Sequence, residues 1–98
     1  MTISKSNENG SIIIKVEGRL DTNTALDFEK EINSITGTES IIIDFDKLEY
    51  ISSAGLRVLL ITQKKMHGEG KLIIRKVSES VKDVLDITGF SDILNIEE

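Results

Sequence analysis

Two adjacent serines, Ser52 and Ser53, are the residues whose position best suits chemistry. They follow an isoleucine run, Ile41–Ile43, whose short β-branched pattern is typical of a strand buried on both faces. After Gly55 comes a leucine-rich stretch that is long enough only for a helix. The pattern therefore predicts a strand, a loop and a helix, with both serines at the turn, where a hydroxyl can be modified without breaking the fold.

The sequence offers no base that could make either serine a catalytic nucleophile. A hydrolase serine needs a base to take its proton, and the single histidine, His67, lies about 20 Å from Ser53 at about 1.5 Å per residue of the predicted helix. The pattern Gly-x-Ser-x-Gly is absent, and residues 68–71 lack the spacing of a phosphate-binding loop. We therefore expect a protein that is not an enzyme, with His67 as a solvated residue near a helix end.

Three aspartates that follow predicted strands raise the alternative of a magnesium site. Carboxylate oxygens suit hard cations, but Asp21, Asp44 and Asp46 also stand where turn and capping residues are common. The capping interpretation is the more frequent one, and the chain contains no cysteine for a thiolate site. We expect no metal and no cofactor.

The composition is that of one ordinary globular domain spanning residues 1–98. Three Phe, one Tyr and no Trp imply a core of Ile, Leu and Val. A formal net charge of −5 argues against a nucleic-acid partner, since such proteins concentrate Lys and Arg on one face. Residues 1–8 lack the apolar core expected of a signal peptide, and no apolar run approaches the roughly 20 residues that span a bilayer. These features predict a cytoplasmic protein with no membrane contact and a protein partner.

The chain begins with a predicted hairpin. Residues 3–7 are a weak edge strand that turns at Asn9-Gly10, a dipeptide that favours tight hairpins. The next strand, Ser11–Glu17, alternates with a period of two and ends at Gly18–Asp21. Its inward face comprises Ile12, Ile14 and Val16.

A helix should follow this hairpin. It begins near Thr22–Thr24, where Thr and Asn can accept bonds from free amides, and Gly37 stands where a left-handed cap would end it. Its core face, spaced at three and four residues, comprises Ala25, Phe28, Ile32 and Ile35.

The second half should continue the alternation of strands and helices. The predicted elements are a strand Ser40–Phe45, a helix from about Ser53 to His67 that closes at Gly68–Gly70, a strand Lys71–Arg75 and a third helix capped by Ser78. The third helix should turn Val81, Val84 and Leu85 inward and stop at Thr88-Gly89. A last element, Asp92–Ile96, either adds an edge strand or docks on the helices.

Helical crossovers predict that the second strand of the hairpin, Ser11–Glu17, and the two later strands, Ser40–Phe45 and Lys71–Arg75, run parallel with right-handed connections. The loops that follow two such strands leave from the same edge of the sheet. Residues 18–22 and 46–53 should therefore converge, which makes Asp21 a neighbour of the two serines.

A helical wheel separates two apolar strips on the serine-led helix. The sheet-facing strip comprises Leu56, Leu59, Leu60, Gln63 and Met66. Ser53 lies on its flank, and Arg57, one turn later, can reach back toward it because helical side chains lean toward the N-terminus. The second strip, Ala54, Val58 and Ile61, is covered either by a neighbouring helix or by a partner.

A phosphoryl group on Ser53 would bring a charge of about −1.5 to −2 to the positive end of the helix dipole. The helix should tolerate this charge. Asp21, Asp44 and Asp46 should make the local field more negative, so we expect phosphorylation to change docking and not folding.

These residues resemble a known family. The stretch Ile41–Leu60, together with Gly18–Asp21 and Val84–Phe90, is similar to the STAS domain of anti-sigma factor antagonists over nearly the whole chain. The resemblance implies an α/β fold, a β-α superhelix whose mixed, mostly parallel sheet of four to five strands carries its helices on one face. It also implies a partner that is both a serine kinase and an anti-sigma factor. The unphosphorylated antagonist binds this partner and frees the sigma factor, and a phosphatase resets the cycle.

The resemblance also assigns roles to particular positions. The phosphoacceptor falls on Ser53, before Ala54-Gly55-Leu56, and the aspartate of the preceding loop falls on Asp21. Many members carry Asp directly before the acceptor, where this chain has Ser52, so Ser52 is a competing acceptor or simply a helix cap. The expected partner-binding residues are Asp21, Thr22, Asn23, Ser52, Ser53, Ala54, Arg57, Val58 and Ile61. The chain itself should be a monomer or a weak dimer.

Two alternatives to an antagonist remain open from the sequence. One is a STAS scaffold or sensor module in a stress-signalling complex, without direct control of a sigma factor. The other is a domain that binds a nucleotide or small molecule in the convergent loops.

Overall fold

A computed structural model of the protein describes residues 1–35, 40–66 and 70–97. The strands within these ranges are β1 (Thr2–Glu8), β2 (Ser11–Leu20), β3 (Ser40–Asp44), β4 (Leu48–Ile51), β5 (Lys71–Arg75) and β6 (Asn95–Glu97). The helices are α1 (Ala25–Asn33), α2 (Ser53–Met66) and α3 (Glu79–Ile87), and a short 3₁₀ helix spans Phe90–Asp92. The expected cap at Gly37, and His67 with the turn at residues 68–69, lie outside the described residues.

The described strands form one six-stranded sheet, in the order β1-β2-β3-β5-β6, with β4 also paired to β2. Strands β1 and β2 are antiparallel, and the other pairs are parallel. This confirms the parallel crossovers expected from the alternation of strands and helices. The expected number of four to five strands was too low.

The hairpin between β1 and β2 turns as its dipeptide predicts. Asn9 has a φ of 52° and Gly10 a φ of 85°, the left-handed backbone that a tight hairpin requires at both central positions. The register then runs from the Glu8–Ser11 pair at the turn to the Thr2–Glu17 pair at the far end.

The predicted end of β2 at Gly18 was wrong, because the strand bends there and continues to Leu20. The register shifts between Gly18 and Arg19, and Gly18 has a φ of 96°, which a residue with a side chain rarely adopts. From Gly18 to Leu20, β2 pairs with β4, which occupies part of the expected 46–53 loop. The short sequence of β4, with only Leu48 and Ile51 buried, carries no clear period-two signal.

All three described helices pack on one face of the sheet. Residues of α1, α2 and α3 join a single apolar cluster with Ile14, Ile43 and Ile74 from three neighbouring strands. The helix faces that meet there include Phe28, Leu59 and Leu85, each fully buried. The predicted core face of α1 is confirmed for Ala25, Phe28 and Ile32, whereas Ile35 joins the cluster from just beyond the end of the helix.

The C-terminal elements follow the sequence pattern closely. Ser78 caps α3, and its side chain accepts a hydrogen bond from the Val81 N–H at 3.3 Å. Val81 and Leu85 are buried and Val84 is half-buried against the core, while Gly89, at a φ of 81°, follows the end of the helix. The last element adds a strand: β6 pairs in parallel with β5. It begins at Asn95, after the 3₁₀ helix, and not at the expected Asp92.

Candidate functional site

Ser52 caps the N-terminus of α2. Its Oγ accepts a hydrogen bond from the Gly55 N–H at 3.3 Å, and its carbonyl accepts one from the Leu56 N–H at 2.9 Å. Its own N–H donates to the Leu20 carbonyl at 2.9 Å. Ser52 is therefore half-buried and bonded on three sides where the sheet meets the helix.

Ser53 is the first residue of α2, and its side chain is exposed. Its hydroxyl has no hydrogen-bond partner among the described residues. Because the first amides of a helix also lack intrahelical partners, this corner combines a free hydroxyl with a positive helix end. The neighbouring serines thus present very different hydroxyls to solvent.

Gly55 lets α2 approach the ends of β2 and β4 closely. A Cβ built on this glycine would lie 2.8 Å from Leu20 Cγ and 3.0 Å from Ile51 Cγ1. Real Cβ atoms almost never lie this close to another heavy atom, so a larger residue would require the Leu20 side chain or the helix itself to shift. The glycine therefore fixes the position of both serines relative to the sheet.

Asp21 organises the loop between β2 and α1. Its Oδ1 accepts hydrogen bonds from the Asn23 and Thr24 N–H groups, both at 3.0 Å. Thr24 Oγ1 in turn accepts from the Asp21 N–H at 2.9 Å and donates to the Arg19 carbonyl at 2.8 Å. The bond from the Thr24 amide, with smaller help from the Thr24 hydroxyl, the Asn23 amide and Arg19, lowers the pKa of Asp21 below its ordinary 3.8. The carboxylate, and not the expected Thr or Asn side chain, caps the free amides before α1.

The two loops converge as the parallel topology predicts. The bond between the Ser52 amide and the Leu20 carbonyl joins them, and Thr22 lines the same groove as Ser53. Asp21 lies between Leu20 and Thr22 in the chain. The Asp21 backbone therefore lies in the loop that meets Ser52, while its carboxylate is bonded to the Asn23 and Thr24 amides.

Asp44 and Asp46 do not belong to this corner, which corrects the expectation that they add to the field at Ser53. Lys15 of β2 pairs with Asp44, whereas Leu20 pairs with Ile51, and the intervening five residues of strand span about 16 Å. Asp44 is buried, and its Oδ2 accepts from Arg75 Nε at 3.4 Å. Among the described residues, no cluster of acidic or histidine side chains could hold a metal ion.

A groove runs between α1 and α2, starting at Ser53. Its α2 wall consists of Ser53, Ala54, Arg57, Val58 and Ile61, as expected for the partner-binding strip. Its other wall consists of Thr22, Ala25, Leu26 and Glu29. The sequence analysis missed Leu26 and Glu29, because it considered only the core face of α1. A leucine that falls outside that face could have indicated an exposed apolar surface on the helix.

The α2 strip is covered partly by α1 and partly left open. Val58 is only 5% exposed, whereas Ile61 is 43% exposed and Leu26, opposite, is 64% exposed. On the sheet-facing side, Leu56, Leu59 and Met66 are buried, but Leu60 and Gln63 are only half-buried. Thr62 is buried in place of Gln63, and its hydroxyl donates to the Val58 carbonyl at 2.7 Å.

Arg57 is an exposed cation in the α2 wall of the groove. It forms no ion pair or hydrogen bond with other residues in the described ranges. The expected contact with Ser53 is therefore not made in the unmodified chain. A second cation nearby, Arg19, lies over the Tyr50 ring at 4.2 Å from its centroid, a pair that sequence reasoning also missed.

The fold and the site together define a small α/β domain, with a mostly parallel sheet, helices on one face and an exposed serine at a helix start. The family model of the STAS domain matches residues 2–98. The chain belongs to the STAS domain family. Within the described ranges, every helix is too short or too polar to span a membrane.

Characterised relatives carry regulatory names. The anti-sigma-B factor antagonist of Staphylococcus aureus is 30% identical over 88 residues, which cover 87% of this chain and 82% of that protein. Among solved structures, an anti-sigma factor antagonist from Mycobacterium paratuberculosis has a TM-score of 0.90 at 22% identity, covering 97% of this chain and 83% of that one. The Bacillus cell-fate determinant SpoIIAA, in its phosphorylated form, has a TM-score of 0.75 at 17% identity, covering 99% and 92%. These two structures share the fold of this chain.

Proposed function

We propose that this chain is an anti-sigma factor antagonist. It binds a partner that is both a serine kinase and an anti-sigma factor, and this binding releases the sigma factor. Phosphorylation of Ser53 by the partner switches the antagonist off, and a phosphatase restores it. In this role the chain is a cytoplasmic binding protein and the substrate of an enzyme, not an enzyme itself.

The observation that carries the proposal is the position of Ser53. Its hydroxyl is exposed and free at the head of an open groove, whereas the hydroxyl of Ser52 accepts the capping bond from Gly55. Family membership and the name of the Staphylococcus relative support the partner class. The phosphorylated form of SpoIIAA, which shares the fold, supports a phosphoryl switch.

In the phosphoryl transfer, this chain supplies only the Ser53 hydroxyl. Ser53 Oγ attacks the γ-phosphorus of ATP bound to the kinase, the bond between that phosphorus and the bridging oxygen of ADP breaks, and the hydroxyl proton passes to a base on the kinase. The product carries a charge of about −1.5 to −2 on the rim of the groove.

The groove between α1 and α2 is the proposed docking surface. Leu26 and Ile61 supply exposed apolar area, and Arg57 and Glu29 supply one charge of each sign. The loop residues Asp21, Thr22 and Asn23 extend the surface beside Ser53. Binding of a partner fitted to a neutral hydroxyl there is weakened by a phosphate, because burying a group with a charge of about −1.5 to −2 against a surface shaped for a hydroxyl costs free energy. We propose that the chain binds its partner through this surface either as a monomer or as one subunit of a weak dimer.

The test is phosphorylation by the cognate kinase with ATP, followed by peptide mass spectrometry. We expect one phosphate on Ser53 in the natural chain and in Ser52→Ala, and none in Ser53→Ala. A phosphate on Ser52, or no phosphate on either serine, would overturn the proposed switch. Circular dichroism of both alanine variants checks that each remains folded.

A further inference from the structure

We propose that Arg57 binds the phosphoryl group on Ser53, so that phosphorylation adds negative charge to the groove and withdraws a cation from it at the same time. This inference rests on the proposed phosphorylation of Ser53, and it identifies the residue of this chain that binds the phosphate. Arg57 therefore helps to determine how much phosphorylation weakens binding to the partner.

The spacing of the two residues permits the contact. Ser53 and Arg57 stand four residues apart on α2, about 6 Å along the helix axis, and both side chains are exposed in the same groove wall. The Arg57 side chain leans toward the N-terminus, as helical side chains do, and therefore toward Ser53. No ion pair or hydrogen bond to another described residue holds the guanidinium elsewhere.

The surrounding charges direct a phosphate toward Arg57. Asp21, whose pKa is lowered, is an ionised carboxylate on the neighbouring loop, and Glu29 lines the opposite wall. Arg57 is the one cation among the described residues that line the groove. The other nearby cation, Arg19, already lies over the ring of Tyr50 and beside Asp21.

The chemistry of the pair favours the phosphorylated state. A guanidinium presents a planar fork of donors that binds two phosphate oxygens at once, which a serine hydroxyl cannot offer it. Ser53 also stands at the positive end of the α2 dipole, which favours a negative group there. In the unmodified chain Arg57 is therefore available to the kinase, and in the phosphorylated chain it is bound within the antagonist.

The experiment measures the second ionisation of the phosphate by ³¹P nuclear magnetic resonance. Phosphoserine is incorporated genetically at position 53, so the sample requires no kinase. The natural chain is compared with Arg57→Gln and with a matched control, Lys65→Gln, which removes a cation of the same helix about 18 Å from Ser53. We expect the phosphate of the natural chain to ionise at least about 0.3 pH unit lower than that of Arg57→Gln.

The control variant separates a specific contact between Arg57 and the phosphate from the general effect of removing one positive charge from α2. If Lys65→Gln titrates like the natural chain and Arg57→Lys falls between the natural chain and Arg57→Gln, the contact is supported. Equal titration of the natural chain and Arg57→Gln would overturn it, as would an equal shift in Lys65→Gln. Because the phosphate is installed without the kinase, failure here leaves the proposed phosphorylation to be judged by its own mass-spectrometric test.

Discussion

At the level of single residues, Ser52 and Ser53 have the same side chain and opposite environments. The Ser52 hydroxyl accepts a hydrogen bond from the Gly55 amide, and the Ser52 backbone bonds to both the sheet and the helix. Ser53 begins the helix with its hydroxyl in solvent. One serine therefore supports the fold, and the other is open to a second protein.

Alanine substitution should separate these two roles. Ser52→Ala removes the N-cap of α2 and should lower the free energy of unfolding by about 1 kcal/mol, measured by urea denaturation. Ser53→Ala removes only a solvated hydroxyl and should change it by less than about 0.5 kcal/mol. Equal losses for the two variants would contradict the assignment of the cap to Ser52.

Asp21 should make stability depend on acid pH. Its pKa is lowered in the folded state, so the unfolded chain takes up the proton first as pH falls. The stabilisation by its carboxylate is therefore complete well above pH 3.8 and is lost as pH falls through the folded pKa. Urea denaturation of the natural chain and Asp21→Asn should show a difference at neutral pH that narrows below pH 3.8. A difference that stays constant would count against the hydrogen bonds to Asn23 and Thr24 as its source.

At the level of elements, α1 and α2 meet along one strip and leave a groove along another. Val58 is covered by α1, while Leu26 and Ile61 remain exposed on either side. The helical wheel separated this strip from the sheet-facing one, but it could not say how far a neighbouring helix would cover it. That depends on the angle at which the helices cross, which a one-dimensional pattern does not contain.

Leu26 should contribute to binding and not to folding. Leu26→Ala should weaken binding of the cognate kinase about fivefold or more, because an exposed leucine in the groove is buried only in the complex. The matched control is Ile87→Ala, which truncates another exposed apolar residue, on α3. Calorimetric titration of both variants should show a loss for Leu26 alone, and equal losses would argue against the groove as the docking surface.

Gly55 should be required for the close packing of α2 against the sheet. Gly55→Ala places a Cβ within 2.8 Å of Leu20 and should lower the free energy of unfolding by about 1–3 kcal/mol, measured in urea. At an exposed helix position the same substitution would raise stability by up to about 1 kcal/mol. The sign of the change therefore tests the close approach, and an increase in stability would refute it.

At the scale of the whole molecule, most of the architecture could be predicted from the alternation of strands and helices. Period-two and helical spacing located β2, β3, β5, α1 and α2, and the crossover rule then made the sheet parallel and brought Asp21 to the serines. Strand β4 could not be found, because only Leu48 and Ile51 are buried in it and its partner is the end of β2, more than 25 residues earlier in the chain. The choice between Ser52 and Ser53 as cap likewise depends on a helix boundary that sequence patterns do not resolve to one residue.

The molecule carries an exposed hydroxyl, Ser53, and an exposed cation, Arg57, on a tightly packed helix, and an ionised carboxylate, Asp21, on the loop that meets the start of that helix. Strand β4 and the Ser52 bonds anchor that end to the core. A phosphate on Ser53 therefore changes the charge of a preformed surface without requiring the fold to change. In the proposed function, the switch is a change of complementarity at a fixed groove.

The most direct test follows release of a fluorescently labelled sigma factor from the cognate kinase, by anisotropy, as the antagonist is added. The unmodified chain should displace the sigma factor, and the chain carrying phosphoserine at position 53 should require at least about tenfold more protein to do so, a difference of about 1.4 kcal/mol. Equal displacement by the two forms, or no displacement by the unmodified chain, would contradict the account.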